Sequence, residues 1–218
     1  MHIEGLWRHP VKSLQGEPVD SVLVTAVGVV GDRAWALRDV ASGSILSAKR
    51  EPRLLLASAT VAGEGVAVAV PRQRDGRSPG ADDEELSGWL GREVRIELSA
   101  QAPYVDEAHL HLIARRELGE WDVRRFRPNV VIDGADDLGE LVGERLALGS
   151  TVVVEVIKRT KRCAMPTMEQ PGIGRDREVL RTLARDRELR LGVYARVITV
   201  GALAVGAPVR VISVAGAG

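Results

Sequence analysis

Valine and isoleucine recur in short clusters from one end of this chain to the other, and Gly, Pro or Asp separates most clusters from the next. Such runs favour extended backbone, and the breakers keep each run too short for a long helix. The expected fold class is therefore mostly β with a few helices (α+β). Strands are expected at residues 3–7, 19–24, 34–38, 54–61, 66–70, 94–98, 110–113, 129–132 and 152–157. A terminal hairpin is expected from 193–200 and 209–214, closing round a turn at 201–206. The runs 54–61 and 66–70, joined through Gly63-Glu64-Gly65, read as a second hairpin. Helices are expected at 84–90, 115–121 and 176–189; in the last of these Val179, Leu180, Leu183 and Ala184 share one face. Residues 71–83 are polar and rich in breakers and read as a loop. So many short strands leave many unpaired edges, which a closed or partly closed barrel would remove.

At 218 residues, 45% of them apolar and 28% charged, the chain has enough apolar surface for a sizeable core. The formal net charge is zero, so no global field draws the molecule to nucleic acid or to an anionic membrane, and any anion binding must be local. Only seven aromatic residues are present, too few for the stacking platforms of a single-strand binder. One cysteine excludes an intramolecular disulfide, and four scattered histidines give no structural zinc spacing. No apolar run approaches a membrane span, and the N-terminus lacks the apolar region of a signal peptide, so a cytoplasmic protein is expected.

Chemistry concentrates at Cys163, which directly follows Lys158, Arg159, Lys161 and Arg162. A lone cysteine is often a small buried hydrophobe, but burying four cations with it would be costly. Neighbouring positive charge favours the thiolate, which can ligate a transition metal, carry a sulfane sulfur or attack a substrate. Pro166 ends any regular element that reaches the cysteine, placing it where a strand runs into a loop. Further basic and polar groups stand at loop entrances: Lys12-Ser13, Asp32-Arg33, 49–53 and 125–129. Each alone reads as solvated surface, yet together they supply what a phosphate-bearing cofactor requires. His109 and His111 alternate onto one face of a strand and read as packed polar residues. Gly172-Ile173-Gly174 precedes a helix and reads as a turn, since the rest of a nucleotide fingerprint is missing.

His9-Pro10-Val11-Lys12-Ser13, Asp32-Arg33, 48–54 (AKREPRL), 126–132 (FRPNVVI), 162–167 (RCAMPT) and 192–197 (GVYARV) appear in that order. In this order and spacing the chain resembles the MOSC family, named for the C-terminal domain of molybdenum cofactor sulfurases, and within it the amidoxime-reducing components. The resemblance implies an N-terminal β-barrel-like portion over 1–100 and a MOSC domain with a β-barrel over 101–218. It implies a molybdenum cofactor of the molybdopterin type, with Cys163 as metal ligand and catalytic centre. Lys12, Ser13 and Arg33 would hold the cofactor from the first portion, and Arg127, Asn129 and Arg162 from the second. It further implies an oxidoreductase that removes oxygen from a small N-hydroxylated substrate, with electrons from a separate electron-transfer protein. Neither a ferredoxin-like extension nor a pyridoxal-phosphate-dependent sulfurase domain is expected, so an outside electron donor is. The alternative within the family is a sulfur carrier holding a persulfide on Cys163. Two departures stand out: His9 where a tyrosine is common, and Lys161 where a small residue is common, the latter adding charge that would favour an anionic ligand or substrate and raise the metal's reduction potential. Residues 106–108 also depart from the hydroxyl-bearing pattern.

Overall fold

The computed structural model describes residues 1–71, 77–105 and 107–212. Strands dominate and helices are few and short, as the alternating and clustered β-formers predict. The principal sheet has eight strands in the order Val209–Ile212, Arg145–Leu148, Val152–Lys161, Arg190–Thr199, Leu110–Ala114, Val130–Asp133, His2–Arg8 and Glu17–Val19. Neighbours are antiparallel except Leu110–Ala114 with Val130–Asp133, which run parallel. Among the described residues no strand ladder closes the sheet, though an isolated antiparallel bridge joins His2 to Pro208. Backbone bonds from Ile3 to the Ala207 carbonyl and from Val209 to the Met1 carbonyl, each 2.9 Å, nevertheless bring the first strand against the approach to the last.

Period-two patterning explains how this sheet is covered. Leu110, Leu112, Ala114, Val130 and Ile132 enter a large core with Val152, Val154, Val156 and Val193. The intervening Ile113 and Val131 face the other way, into a smaller core with Phe126 and with Val179 and Leu183 of the helix Glu178–Arg187. Burial on both faces makes Leu110–Ala114 apolar along its length, apart from His111. A third core, built from Val11, Leu14, Leu37, Leu54, Val68, Leu86 and Val94 among others, underlies the smaller sheets of residues 35–98. It takes in the helix Asp83–Leu90, which Asp82 caps by accepting from the Glu85 amide at 2.9 Å and Gly91 ends in the left-handed conformation at φ 67°.

Four expectations fail locally. The single strand read over 19–24 is two: Glu17–Val19 joins the principal sheet, while Ser21–Thr25 pairs with Gly201–Ala204 and Gly28–Val29. The start of the 54–61 run is a 3-10 turn, Pro52–Leu56, because Pro52 presets its first position and Leu54 and Leu55 are pulled into the core. The terminal hairpin does not form. Gly201–Ala204 is a strand rather than a turn, and Val209–Ile212 pairs with Arg145–Leu148, a strand not anticipated. Within 71–83, Arg77–Pro79 adds to Gly65–Pro71 as a third strand, and residues 72–76 lie outside the described residues. Residues 213 and 214 of the expected last strand and Asp106 of the 106–108 segment also lie outside them.

Candidate functional site

The strand Val152–Lys161 runs through the basic segment with register irregularities between Val156 and Lys158 and between Arg159 and Lys161, and its cations end in different surroundings. Lys158 pairs with Glu107 and lies 5.9 Å from the centre of the Tyr194 ring. Arg159 is bound to Asp137 at 2.8 Å. Only Lys161 and Arg162 share a cavity with Cys163. That cavity has a volume of about 380 Å³, and Lys12, Ser13, Arg33 and Arg127 also line it. The half-buried Cys163 leaves the strand's end and is followed by the 3-10 turn Met165–Thr167, as the position of Pro166 predicts.

The guanidinium of Arg162 turns inward. It donates to the Leu191 carbonyl at 2.9 Å and the Phe126 carbonyl at 3.2 Å, and lies 2.6 Å from Nε2 of His111. Burial lowers its pKa to about 10, which still leaves it cationic at neutral pH. From the opposite wall, Arg33 forms an ion pair with Asp32 and reaches the Arg127 carbonyl at 3.3 Å. Arg127 donates to the Leu14 carbonyl. Ser13 accepts from the Ala48 amide at 3.0 Å, keeping its own proton available to donate. Lys12 donates to the Tyr104 carbonyl at 3.2 Å.

Backbone conformation singles out the same place. Ser13, Arg33 and Arg127 have φ of 70°, 50° and 54°, in the left-handed region that costs a side-chain-bearing residue on the order of 1 kcal/mol or more. Among the described residues the other two such positions are Glu188 and Leu189, just past the end of the helix Glu178–Arg187. Strained backbone held at three cavity positions from distant parts of the chain indicates that the surrounding packing fixes those side chains in place.

Six of the seven residues singled out from sequence therefore meet in one cavity. Asn129 does not line it. Its amide is 1% exposed and spans neighbouring strands, accepting from the His111 amide at 3.2 Å and donating to the Trp7 carbonyl at 3.4 Å. From sequence, Arg125 is named only within the basic 125–129 segment, His111 reads as a packed polar residue, and Tyr104 and Tyr194 are not singled out; all four line the cavity. Arg125 is buried and clamps the loop beyond Cys163 through the carbonyls of Pro166, at 3.0 Å, and Gly174, at 2.8 Å. The Gly172–Gly174 segment is thus a turn ahead of the helix, consistent with its sequence. His111 accepts from Arg162 and donates from Nδ1 to the Arg127 carbonyl at 3.3 Å, joining two of the arginines. Alternation placed its ring on one face; only the fold reveals that this face opens on the cavity.

His9 and His111 are both buried. Burial first, then Arg127 and Arg33 for His9 and Arg162 for His111, holds both pKa values well below that of free imidazole. Both rings stay neutral in the folded chain while the unfolded chain takes up protons below about pH 6.5. Proton uptake by the unfolded state alone favours unfolding, so stability is complete above that pH and falls below it, by up to about 1.4 kcal/mol per pH unit for each ring. Urea midpoints between about pH 7 and pH 5 test this. The slope should flatten in His9→Gln and in His111→Gln; an unchanged slope in both would assign the acid sensitivity to other groups.

The family models fit this arrangement along nearly the whole chain. The MOSC domain matches residues 91–210, and the MOSC N-terminal beta barrel domain matches residues 1–103. The chain belongs to the MOSC family. Mitochondrial amidoxime reducing component 2 of Macaca fascicularis is 27% identical to this MOSC protein over an alignment covering 94% of this chain and 81% of the relative. Mitochondrial amidoxime-reducing component 1 of Homo sapiens is 25% identical, covering 84% and 71%. Among solved structures, the YuaD protein of Bacillus subtilis aligns with a TM-score of 0.48 and 17% identity, covering 97% of this chain and 94% of that one. No helix among the described residues is long and apolar enough to cross a membrane.

Proposed function

We propose that the cavity holds a molybdopterin-type molybdenum cofactor with Cys163 as a metal ligand, and that the protein reduces N-hydroxylated compounds with electrons from a separate electron-transfer protein. One observation carries the reading: a half-buried cysteine shares a cavity of about 380 Å³ with Lys12, Ser13, Arg33, Arg127 and Arg162. That size lies within the range of cofactor sites, and the lining has the chemistry of a phosphate cradle beside a soft metal ligand. Among the described residues no three His, Cys, Asp or Glu side chains come together as a metal site. Cys163 offers one soft ligand to the metal of such a cofactor, and the arginines and Lys12 offer partners for its phosphate. The relationship to amidoxime reducing components supports the substrate class.

When bound, such a cofactor supplies reversible two-electron chemistry and accepts oxygen. The net reaction breaks the substrate N–O bond, consumes two electrons and two protons, and releases water. The chain's part is to bind and orient. Lys12, Ser13 and Arg33 would grip the anionic end of the cofactor from the N-terminal side, and Arg127 and Arg162 from the other. His111 keeps those two arginines in register by accepting from one and donating to the carbonyl of the other. Arg125 fixes the loop behind Cys163.

The test is elemental mass spectrometry on protein made in a host that synthesises the cofactor, followed by assay of benzamidoxime with a chemical reductant. Stoichiometric molybdenum and formation of the amidine are expected. Metal-free protein carrying a sulfane sulfur on Cys163 would instead assign it to sulfur transfer.

A further inference from the structure

We infer that the cavity selects anionic substrates, N-hydroxylated compounds that also carry a carboxylate or similar group, and that Lys49 and Lys161 read that charge. The inference rests on the cofactor reading above for the reaction and extends it to the substrate class.

The cations of the cavity divide by depth. Arg125 and Arg127 are 7% and 5% exposed and donate to backbone carbonyls, so their positions are set by the fold. Arg33 is held by Asp32 and Lys12 by the Tyr104 carbonyl. Lys49 and Lys161 line the same cavity but are exposed, and neither side chain has an ion pair or hydrogen bond among the described residues. Among the described residues the carboxylate that lines the cavity is that of Glu107, and it is engaged by Lys158.

This division matches two kinds of ligand. Buried, pre-oriented guanidiniums suit a group that stays, whereas a lysine is a mobile, hydrated point charge that suits a ligand that enters and leaves. A bound phosphate-bearing cofactor would neutralise part of the inner set and leave the two lysines unanswered. Lys161 is the last residue of its strand and stands two positions before Cys163, so an anion held there lies beside the reacting centre. Positive charge concentrated in a concave site also raises the rate at which anions arrive.

The experiment compares calorimetric binding of benzamidoxime and its para-carboxylate analogue, at low and high ionic strength, to the unmodified protein and to Lys49→Gln/Lys161→Gln. The carboxylate compound is expected to bind about tenfold more tightly to the unmodified protein at low ionic strength. That preference should shrink to about twofold or less in the double variant and in high salt, with the affinity for benzamidoxime unchanged. Equal binding of the two compounds, a preference that survives the double substitution, or binding of neither compound would overturn the inference. Molybdenum content is measured on the same samples. A carboxylate preference in metal-free protein would uphold anion selection and reject the cofactor reading, whereas metal-loaded protein without the preference would do the reverse.

Discussion

Cys163→Ser is expected to abolish stoichiometric molybdenum binding while leaving the fold intact. Serine at pH 7 offers a neutral, hard hydroxyl in place of a soft thiolate, so the metal loses the ligand proposed for it. The side chain is half-buried and lies outside the three apolar cores, so its loss should change stability by no more than about 1 kcal/mol. Thermal unfolding and elemental analysis of the same preparation separate the two effects. Metal retained at the unmodified level in a folded Cys163→Ser protein would sink the proposed ligation. Lys12, Arg33, Arg127 and Arg162 would remain in this variant, so metal-free pterin is expected to bind more weakly rather than not at all.

Gly192→Ala, behind the cavity-lining His111, is expected to be strongly destabilising. Gly192 has φ of 73°, and a Cβ placed there would lie 2.6 Å from the Leu112 carbonyl oxygen, 2.7 Å from Cγ1 of Ile113 and 2.9 Å from Nε2 of His111. The first of these is backbone in the central strand and cannot swing aside. Its own amide donates to the buried Glu117 carboxylate at 2.8 Å, which also accepts from the Ala114 amide at 3.0 Å, so the segment is tied down on its other side. Left-handed strain and overpacking together should cost about 4 kcal/mol or more, lowering the melting temperature on the order of 10 °C. Gly43→Ala supplies the comparison, since Gly43 has φ of 67° and nothing within 4 Å of the added carbon. It should show strain alone, about 1 kcal/mol. Equal losses in the two variants would mean that the contact with Leu112 is not what makes Gly192 necessary. Any folded Gly192→Ala protein should also bind the cofactor poorly, because the added methyl pushes on the ring that joins Arg127 to Arg162.

The sequence by itself determined the mostly β class, most strand positions and the candidate chemistry. Those properties are local: alternation and β-branching specify a strand whatever it pairs with, and Pro166 ends the element at Cys163 wherever the neighbouring strands lie. Motif order also named Lys12, Ser13, Arg33, Arg127 and Arg162, all of which line the cavity. Only the tertiary structure decided pairing. Residues 193–200 and 209–214 looked like partners because they are neighbours in sequence, but Val209–Ile212 pairs across to Arg145–Leu148 and Gly201–Ala204 to Ser21–Thr25. Pairing depends on which apolar faces can be covered together, and sequence proximity does not report that. The same reason explains Asn129 and His111. Both are polar residues next to apolar runs, indistinguishable by local pattern. The packing of three strands turns Asn129 onto backbone groups inside the sheet and His111 towards the cavity, where it meets Arg162.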